Sequence, residues 1–272
     1  MSGIVPDQMK VAKIIPLHKK DDNCIFDNYR PISLLPTFSK ILEKVVHRQL
    51  YDYIKANDLL SKSQYGFREK YSTELAAIEM IDHIKHEIDN KHTPICLFLD
   101  LSKAFDTINF DILLMKLRHM GVNNTAFSWF ESYLKNRKQF VAYNNCNSEL
   151  LDTKTGVPQG SVLGPLLFLI YINDLNNVSN FFKIICFADD STLILSICLS
   201  KKSCKFCKGS KKYSSEDVNR ELDKIYNWFC LNILSINSSE TKFIIFKNRQ
   251  RKLCPSDLPC LKMSFKKILQ IL

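Results

Sequence analysis

Glycine is scarce in this chain, seven among 272 residues, and no stretch repeats itself or reads as an inter-domain linker. The longest apolar run, residues 162–172, is too short to cross a bilayer. The opening stretch, MSGIVPDQMKVAKIIPLHKK, lacks the apolar core of a secretory signal, so secretion is not expected. Six histidines fall at no HxxxH or other ligand spacing, which argues against a zinc enzyme. No nucleophilic side chain is evident. Ten cysteines are scattered, several inside apolar runs, which is free-thiol usage rather than a disulfide framework. A reducing compartment, nuclear or cytoplasmic, is the expectation.

Positive charge is what the chain has in excess. Thirty-eight Lys and Arg against 28 Asp and Glu leave +10, which favours a polyanionic partner such as nucleic acid over a charge kept for solubility alone. The length and the 46% hydrophobic content allow a sizeable core, as one large domain or two subdomains.

Against that basic background, residues 184–195, IICFADDSTLIL, carry a bare acidic pair, Asp189 and Asp190, between two short apolar runs. The pattern predicts a β-hairpin with the acids at its tip. Adjacent aspartates with no basic residue between Lys183 and Lys201 repel each other and are costly to desolvate. Oxygen-only ligands of that kind suit a hard divalent cation; an acidic turn is the plainer alternative.

From the N-terminus, KVAKIIPLHKK (10–20) reads as an edge strand with a cationic face. Pro31 and Pro36 hold residues 30–35 extended, and Arg30 there suits a phosphate or a surface ion pair. A helix is expected from about Thr37 with Ile41, Leu42, Val45, Val46, Leu50 and Ile54 inward, and a second, capped by Thr73, with Ile78, Ile81, Ile84 and Ile88 inward. Between them, KSQYGFREK sets Gly66 beside Arg68 at a helix entrance, a plausible triphosphate clamp. Residues 95–99 form a buried strand ending on Asp100, a rigid place for a metal ligand. Phe105 follows five residues on, and Asp106 either shares that region or caps the helix carrying Ile112, Leu113 and Leu117. Residues 155–175, TGVPQGSVLGPLLFLIYINDL, hold three of the seven glycines, Gly156, Gly160 and Gly164, ahead of a buried helix. Such a loop fits a backbone facing a ligand, or a packing turn. In 198–212, Cys204 and Cys207 have a zinc-like spacing without a second pair, and a solvated basic loop is the better reading. A capped helix over 214–230 and a last strand over 241–247 complete the pattern.

Taken together, DLSKAFD, GVPQGSVLGPLLFLIYINDL and FADD, in this order, resemble the reverse transcriptase domain of non-LTR retrotransposons, the jockey-like and LINE-like elements. YRPISLL and QYGFR match finger motifs of the same family, and the resemblance runs from about residue 10 to 247. It implies an α/β (α+β) polymerase right hand: a fingers-like region over 1–94, a palm with an antiparallel sheet over 95–247, and a basic tail over 248–272 with the thumb largely missing. By the same resemblance, Asp100 and Asp189 bridge two Mg²⁺ ions, or Mn²⁺ in their place. Asp190 is the second acid of the pair, and the Leu101 carbonyl completes one metal. Phe105 gates against a ribose 2′-OH, Gln159 and Gly160 line the nucleotides, and Arg68 holds the triphosphate. RNA template, DNA primer and dNTPs are the implied partners, with no membrane.

One departure stands out. Where the family reads N-x-x-K-T, with a lysine that helps deliver a proton to pyrophosphate, this chain has Asn237-Ser238-Ser239-Glu240-Thr241. Lys242 would be the substitute general acid, two residues or about 6–7 Å along a strand. The alternatives to an active polymerase are a catalytically silent nucleic-acid-binding remnant and, with the metal acids present, less so a maturase-like RNA scaffold.

Overall fold

The computed structural model describes residues 3–19, 22–197, 214–247, 261–263 and 266–267. The basic stretch 198–212, with Cys204 and Cys207, lies outside the described residues, as does 248–260 of the tail. In chain order the elements are β1 (Val11–His18), β2 (Tyr29–Leu34), α1 (Thr37–Ala56), α2 (Thr73–Asp89), β3 (Thr93–Leu99), α3 (Phe110–His119) and α4 (Asn124–Leu134). Then come β4 (Arg137–Tyr143), β5 (Cys146–Asn147), β6 (Leu151–Thr153), α5 (Gly164–Ile172), β7 (Lys183–Phe187), β8 (Asp190–Ile197), α6 (Ser215–Leu231) and β9 (Lys242–Ile245). Among the described residues no helix is long and apolar enough to cross a membrane.

The chain divides into two compact units, 1–60 with 103–172, and 61–102 with 173–272. The regions 1–94 and 95–247 each contribute to both.

In the first unit the sheet order is β2-β1-β4-β5, with β6 also pairing β4. β1 is therefore an internal strand and not the edge its sequence suggests. Its second neighbour, β4, joins it in parallel from more than a hundred residues away, a partner that no local pattern reveals. α5 is apolar on every side, and all of its residues but Pro165 are buried, as expected of a helix with no polar face.

Helix α1 turns inward only part of the expected stripe, Leu50 and Ile54, with Leu42 and Val46 half-buried. Ile41 and Val45 are exposed, while Ser39, Glu43, Leu50 and Ile54 are buried. Apolar residues occupy more than one stripe of this helix, so periodicity alone leaves two solutions. The Glu43 carboxylate takes an inward place by reaching the backbone N–H groups of Val162 and Leu163, described below.

The second unit is built on an antiparallel sheet in the order β7-β8-β3-β9. β3 is buried along nearly its whole length, the signature of a central strand covered on both faces. One face meets α2 in a cluster of Ala76, Ile84, Cys96, Ile185 and Ile194. Here too part of the expected stripe is inward: Ile84 is buried and Ile88 packs against the cluster, while Ile78 and Ile81 are exposed and Ala76 is buried. The cap of α2 is Ser72, whose hydroxyl accepts from Leu75 N–H, and Thr73 is the first helical residue. α6 opens with a reciprocal capping box between Ser214 and Asp217 and buries Val218, Leu222, Ile225 and Phe229. Burial pushes the Cys96 and Cys186 thiols up to about 12 and about 11, so both behave as small core hydrophobes.

Candidate active site

The acidic pair lies where the hairpin was expected. β7 and β8 pair down to Phe187 opposite Asp190, with Ala188 and Asp189 forming the turn. The ladder between β3 and β8 ends at Leu99 opposite Ser191, so the next positions in register are Asp100 and Asp190. Residues directly opposite in such a pair stand about 4.5–5.5 Å apart at Cβ. The charges are felt: partial desolvation, then Asp189, then Asp100 raise the Asp190 carboxyl above its usual range. Thus Asp100, Asp189 and Asp190 gather at one end of the sheet. Among the described residues, no three His, Cys, Asp or Glu side chains are drawn together tightly enough to hold a metal ion as they stand. Like charges repel, and Asp100 turns one oxygen toward a neutral donor instead.

That donor is Asn237, which the sequence marks only as the first residue of the departing motif, with no role of its own. Its Nδ2 donates to Asp100 Oδ2 at 3.0 Å, and its backbone N–H donates to the Asp100 carbonyl at 2.8 Å. The Asn237 Oδ1 in turn accepts from Ser239 N–H and Oγ, so the carboxamide is itself fixed. Ser102 N–H donates to the Ser235 carbonyl, closing an isolated antiparallel bridge between Leu101 and Ile236. In that pattern the flanking residues make the bonds, so the carbonyl of Leu101 faces away from 235–237, toward the β8 side of the strand. The Leu101 carbonyl thus points to the side on which the acidic turn lies.

The turn has a second holder. Gln64, only 3% exposed, accepts through Oε1 from Ala188 N–H at 2.9 Å and from Gly66 N–H at 2.8 Å. Its Nε2 donates to the Ala188 carbonyl at 3.4 Å. Ala188 has φ +55°, a left-handed conformation that a non-glycine residue keeps only when its surroundings impose it. Tyr65 N–H and the Ser63 carbonyl pair with Cys186, so 63–65 runs as a short parallel ribbon beside β7. A Cβ on Gly66 would lie 2.9 Å from Ala188 Cα, which explains glycine in QYGFR without any phosphate.

Arg68 directs Nη1 to the carbonyls of Ser61 (2.7 Å) and Gln64 (3.1 Å) and lies over the Tyr71 ring. Lys242 pairs with Phe98 across the β3–β9 ladder, two positions short of Asp100 on the same side of the pleat. Glu240 lies in the turn ahead of β9 rather than in the strand.

Phe105, Gln159 and Gly160 belong to the first unit. The Phe105 ring stacks on Phe168 with centroids 4.8 Å apart. Ser33 N–H donates to the Gln159 carbonyl at 2.7 Å, and Gly160 is exposed. Asp106 does not cap α3; Asn109 does, accepting from Asp111 and Ile112 N–H, because it stands immediately before the first turn. Glu43, only 1% exposed, accepts from Val162 N–H at 2.6 Å and Leu163 N–H at 3.3 Å, fixing the end of the 155–163 loop where α5 begins.

An oxygen-only acidic cluster on rigid strands, fixed by neutral amides, has the donor chemistry of a divalent-cation site. Residues 17–253 match the family described as reverse transcriptase (RNA-dependent DNA polymerase). The chain belongs to the reverse transcriptase family. Reverse transcriptases generally depend on a divalent metal. Among curated relatives, the chain is 35% identical over 172 residues to a probable RNA-directed DNA polymerase from transposon BS of Drosophila melanogaster, covering 62% of this chain and 19% of that protein. It is 28% identical over 261 residues to the RNA-directed DNA polymerase from mobile element jockey of Drosophila funebris, covering 93% and 27%. This reverse transcriptase chain therefore spans about a fifth to a quarter of the length of those relatives. Telomerase from Candida tropicalis, solved with a fragment of telomeric RNA, superposes with a TM-score of 0.62 at 15% identity, covering 90% of this chain and 42% of that one. That likeness carries the right-hand polymerase fold.

Proposed function

We propose that the chain is the catalytic core of an RNA-directed DNA polymerase of a non-LTR mobile element, joining dNTPs to a primer 3′-hydroxyl on an RNA template. The observation that carries the reading is the meeting of Asp100 with Asp189 and Asp190 at one sheet end, from stretches remote in sequence. Asp100 and Asp189, with the Leu101 carbonyl, are the groups that would hold two Mg²⁺ ions, or Mn²⁺, and Asp190 adds charge beside them. Bound there, such ions lower the pKa of the primer hydroxyl and steady the leaving pyrophosphate. Asn237 and Gln64 keep the acids oriented, Arg68 holds the triphosphate, Gln159 and Gly160 line the nucleotides, and Phe105 excludes a 2′-hydroxyl. Lys242 is the proton donor to pyrophosphate.

The test is primer extension on an RNA template with Mg²⁺, with Asp189→Ala as control. Extension by the parent chain and none by the variant is expected; equal product from both refutes the reading. A second reading, a silent nucleic-acid-binding remnant, draws on Glu240, an acid in the turn where the related motif has lysine. It predicts binding that weakens steeply with salt, without extension by either protein.

A further inference from the structure

Asp106 has no part in the metal chemistry proposed above, yet both its oxygens are engaged. They accept from Gln159 Nε2 at 2.9 and 3.0 Å. The Asp106 carbonyl accepts from Thr155 Oγ1 at 3.1 Å. On either side of it, the Phe105 carbonyl accepts from Val157 N–H at 2.9 Å and the Ile108 carbonyl from Gly156 N–H at 2.8 Å. Gly156 has φ +86°, and a Cβ there would meet Asp106 Cα at 2.8 Å, so the two segments touch backbone to backbone. Residues 105–108 and 155–159 are therefore one laced body, with the Phe105 ring braced against Phe168 from the other side.

The carboxylate itself is held at a cost. Burial pushes the Asp106 carboxyl up, against the Gln159 donor and the charges of Lys103 and Lys19, which pull it down. A plain helix cap or surface acid would not need that desolvation. What the arrangement achieves is local: a glutamine amide left loose can present either its donor or its acceptor end, whereas one tied through Nε2 presents a defined acceptor, Oε1.

We propose that Asp106 is a positioning residue that fixes the Gln159 carboxamide relative to the Phe105 ring, and thereby sets the preference for deoxyribonucleoside over ribonucleoside triphosphates. The proposal rests on the polymerase reading and deepens it. Asp106 acts through Gln159 and need not touch the nucleotide.

The experiment is single-nucleotide incorporation by the full chain with a dNTP and the matching rNTP. It compares the parent with Asp106→Ala, Asp106→Asn, Gln159→Ala and the Asp106→Ala/Gln159→Ala double variant. Loss of a hydrogen bond to a charged group predicts for Asp106→Ala a KM for dNTP raised about tenfold, kcat within about twofold, and a deoxy-over-ribo ratio of kcat/KM lowered about tenfold. Asp106→Asn keeps one acceptor oxygen and recovers most of the loss. Because the two residues act as a unit, the double variant is no worse than Gln159→Ala alone. Parental selectivity in Asp106→Ala, or losses that multiply in the double variant, overturn the proposal. Should Asp106→Ala not fold, Asp106→Asn must fall between the parent and Gln159→Ala, and parental values for it overturn the proposal equally. A parent chain that extends no primer refutes the polymerase reading and this proposal with it; a parent that extends, beside an equally selective Asp106→Ala, refutes this proposal alone.

Discussion

Replacing Gln64 by leucine removes both ends of the clamp on the acidic turn while keeping a side chain of similar bulk. Ala188 N–H and Gly66 N–H, which both donate to Gln64 Oε1, lose their acceptor in a place where Gln64 is 3% exposed and water cannot stand in without rearrangement. An orphaned buried donor costs about 1–3 kcal/mol, so the pair predicts a loss of roughly 2–6 kcal/mol. A domain has only about 5–15 kcal/mol to lose. Part of the loss is offset, since a leucine is cheaper to bury than an amide, and the lower half of the range is the expectation. The turn should suffer beyond global stability, because the two-residue hairpin loop needs φ +55° at Ala188, a conformation that alanine disfavours and that the Gln64 bonds help to hold. A displacement of about 1 Å at reacting groups costs on the order of 10²-fold in rate.

Urea denaturation followed by circular dichroism measures the first effect, and Mg²⁺-dependent extension, at a temperature where the variant is folded, measures the second. Gly66→Ala probes the same contact from the other side, since its new Cβ would clash with the Ala188 backbone nitrogen and sit 2.9 Å from Ala188 Cα. Because backbone must shift, the cost should reach or exceed the upper end of the roughly 1–3 kcal/mol usual for overpacking. A Gln64→Leu protein within about 0.5 kcal/mol of the parent and extending at the parental rate would refute the clamp, because a surface substitution behaves that way.

Asp190→Asn should stabilise the protein, though only slightly because Asp190 is exposed and its repulsions are screened, while impairing extension. The Asp190 carboxyl is raised above 3.8 in the fold, so its ionisation opposes folding: the parent is relatively best in acid and loses ground as pH rises through the folded-state value. The advantage of the variant should accordingly grow above pH 3.8 and shrink in high salt; an advantage confined to acid would reverse the argument. Lys242→Ala should lower kcat by up to the roughly 10²–10⁴-fold that general acid catalysis is usually worth, while Glu240→Lys changes the rate little, since Lys242 already delivers the proton. A gain of about tenfold or more in Glu240→Lys, beside an undiminished Lys242→Ala, would refute that assignment.

The parts of the site that were legible in the sequence are those whose cause is local. A buried strand that ends on Asp100, and apolar runs broken by Asp189 and Asp190, announce themselves because charge interrupts hydrophobicity within a few residues. The polar residues that hold the site did not announce themselves. Gln64 reaches Ala188, Asn237 reaches Asp100 and Glu43 reaches Val162, each more than a hundred positions away, and in sequence each looks like an ordinary surface residue. The same blindness explains the helix faces. In α1 and α2 the expected face holds at Leu50, Ile54 and Ile84 and fails at Ile41, Val45, Ile78 and Ile81, while a buried Glu43 and a small Ala76 take inward places that periodicity of the apolar residues does not mark.

What these holders share is chemistry. The groups that fix the acidic turn and Asp100 are carboxamides, Gln64 and Asn237, and the group that meets Asp106 is the carboxamide of Gln159. An arginine or lysine at position 237 would orient Asp100 as well or better, but it would also neutralise it and compete with any cation for the same oxygens. A hydroxyl would leave the negative charge intact yet offers one donor on a freely turning bond. A carboxamide supplies a directed N–H with no net charge, and its own oxygen can be tied down, as Ser239 ties that of Asn237. The acids are thereby positioned without being discharged, and the Asp190 carboxyl stays raised, by partial desolvation first and then by the charges of Asp189 and Asp100. Under the proposed two-metal chemistry, that remaining charge is what draws a divalent cation to Asp100 and Asp189, so the frame that destabilises the cluster is also the frame that selects its ligand.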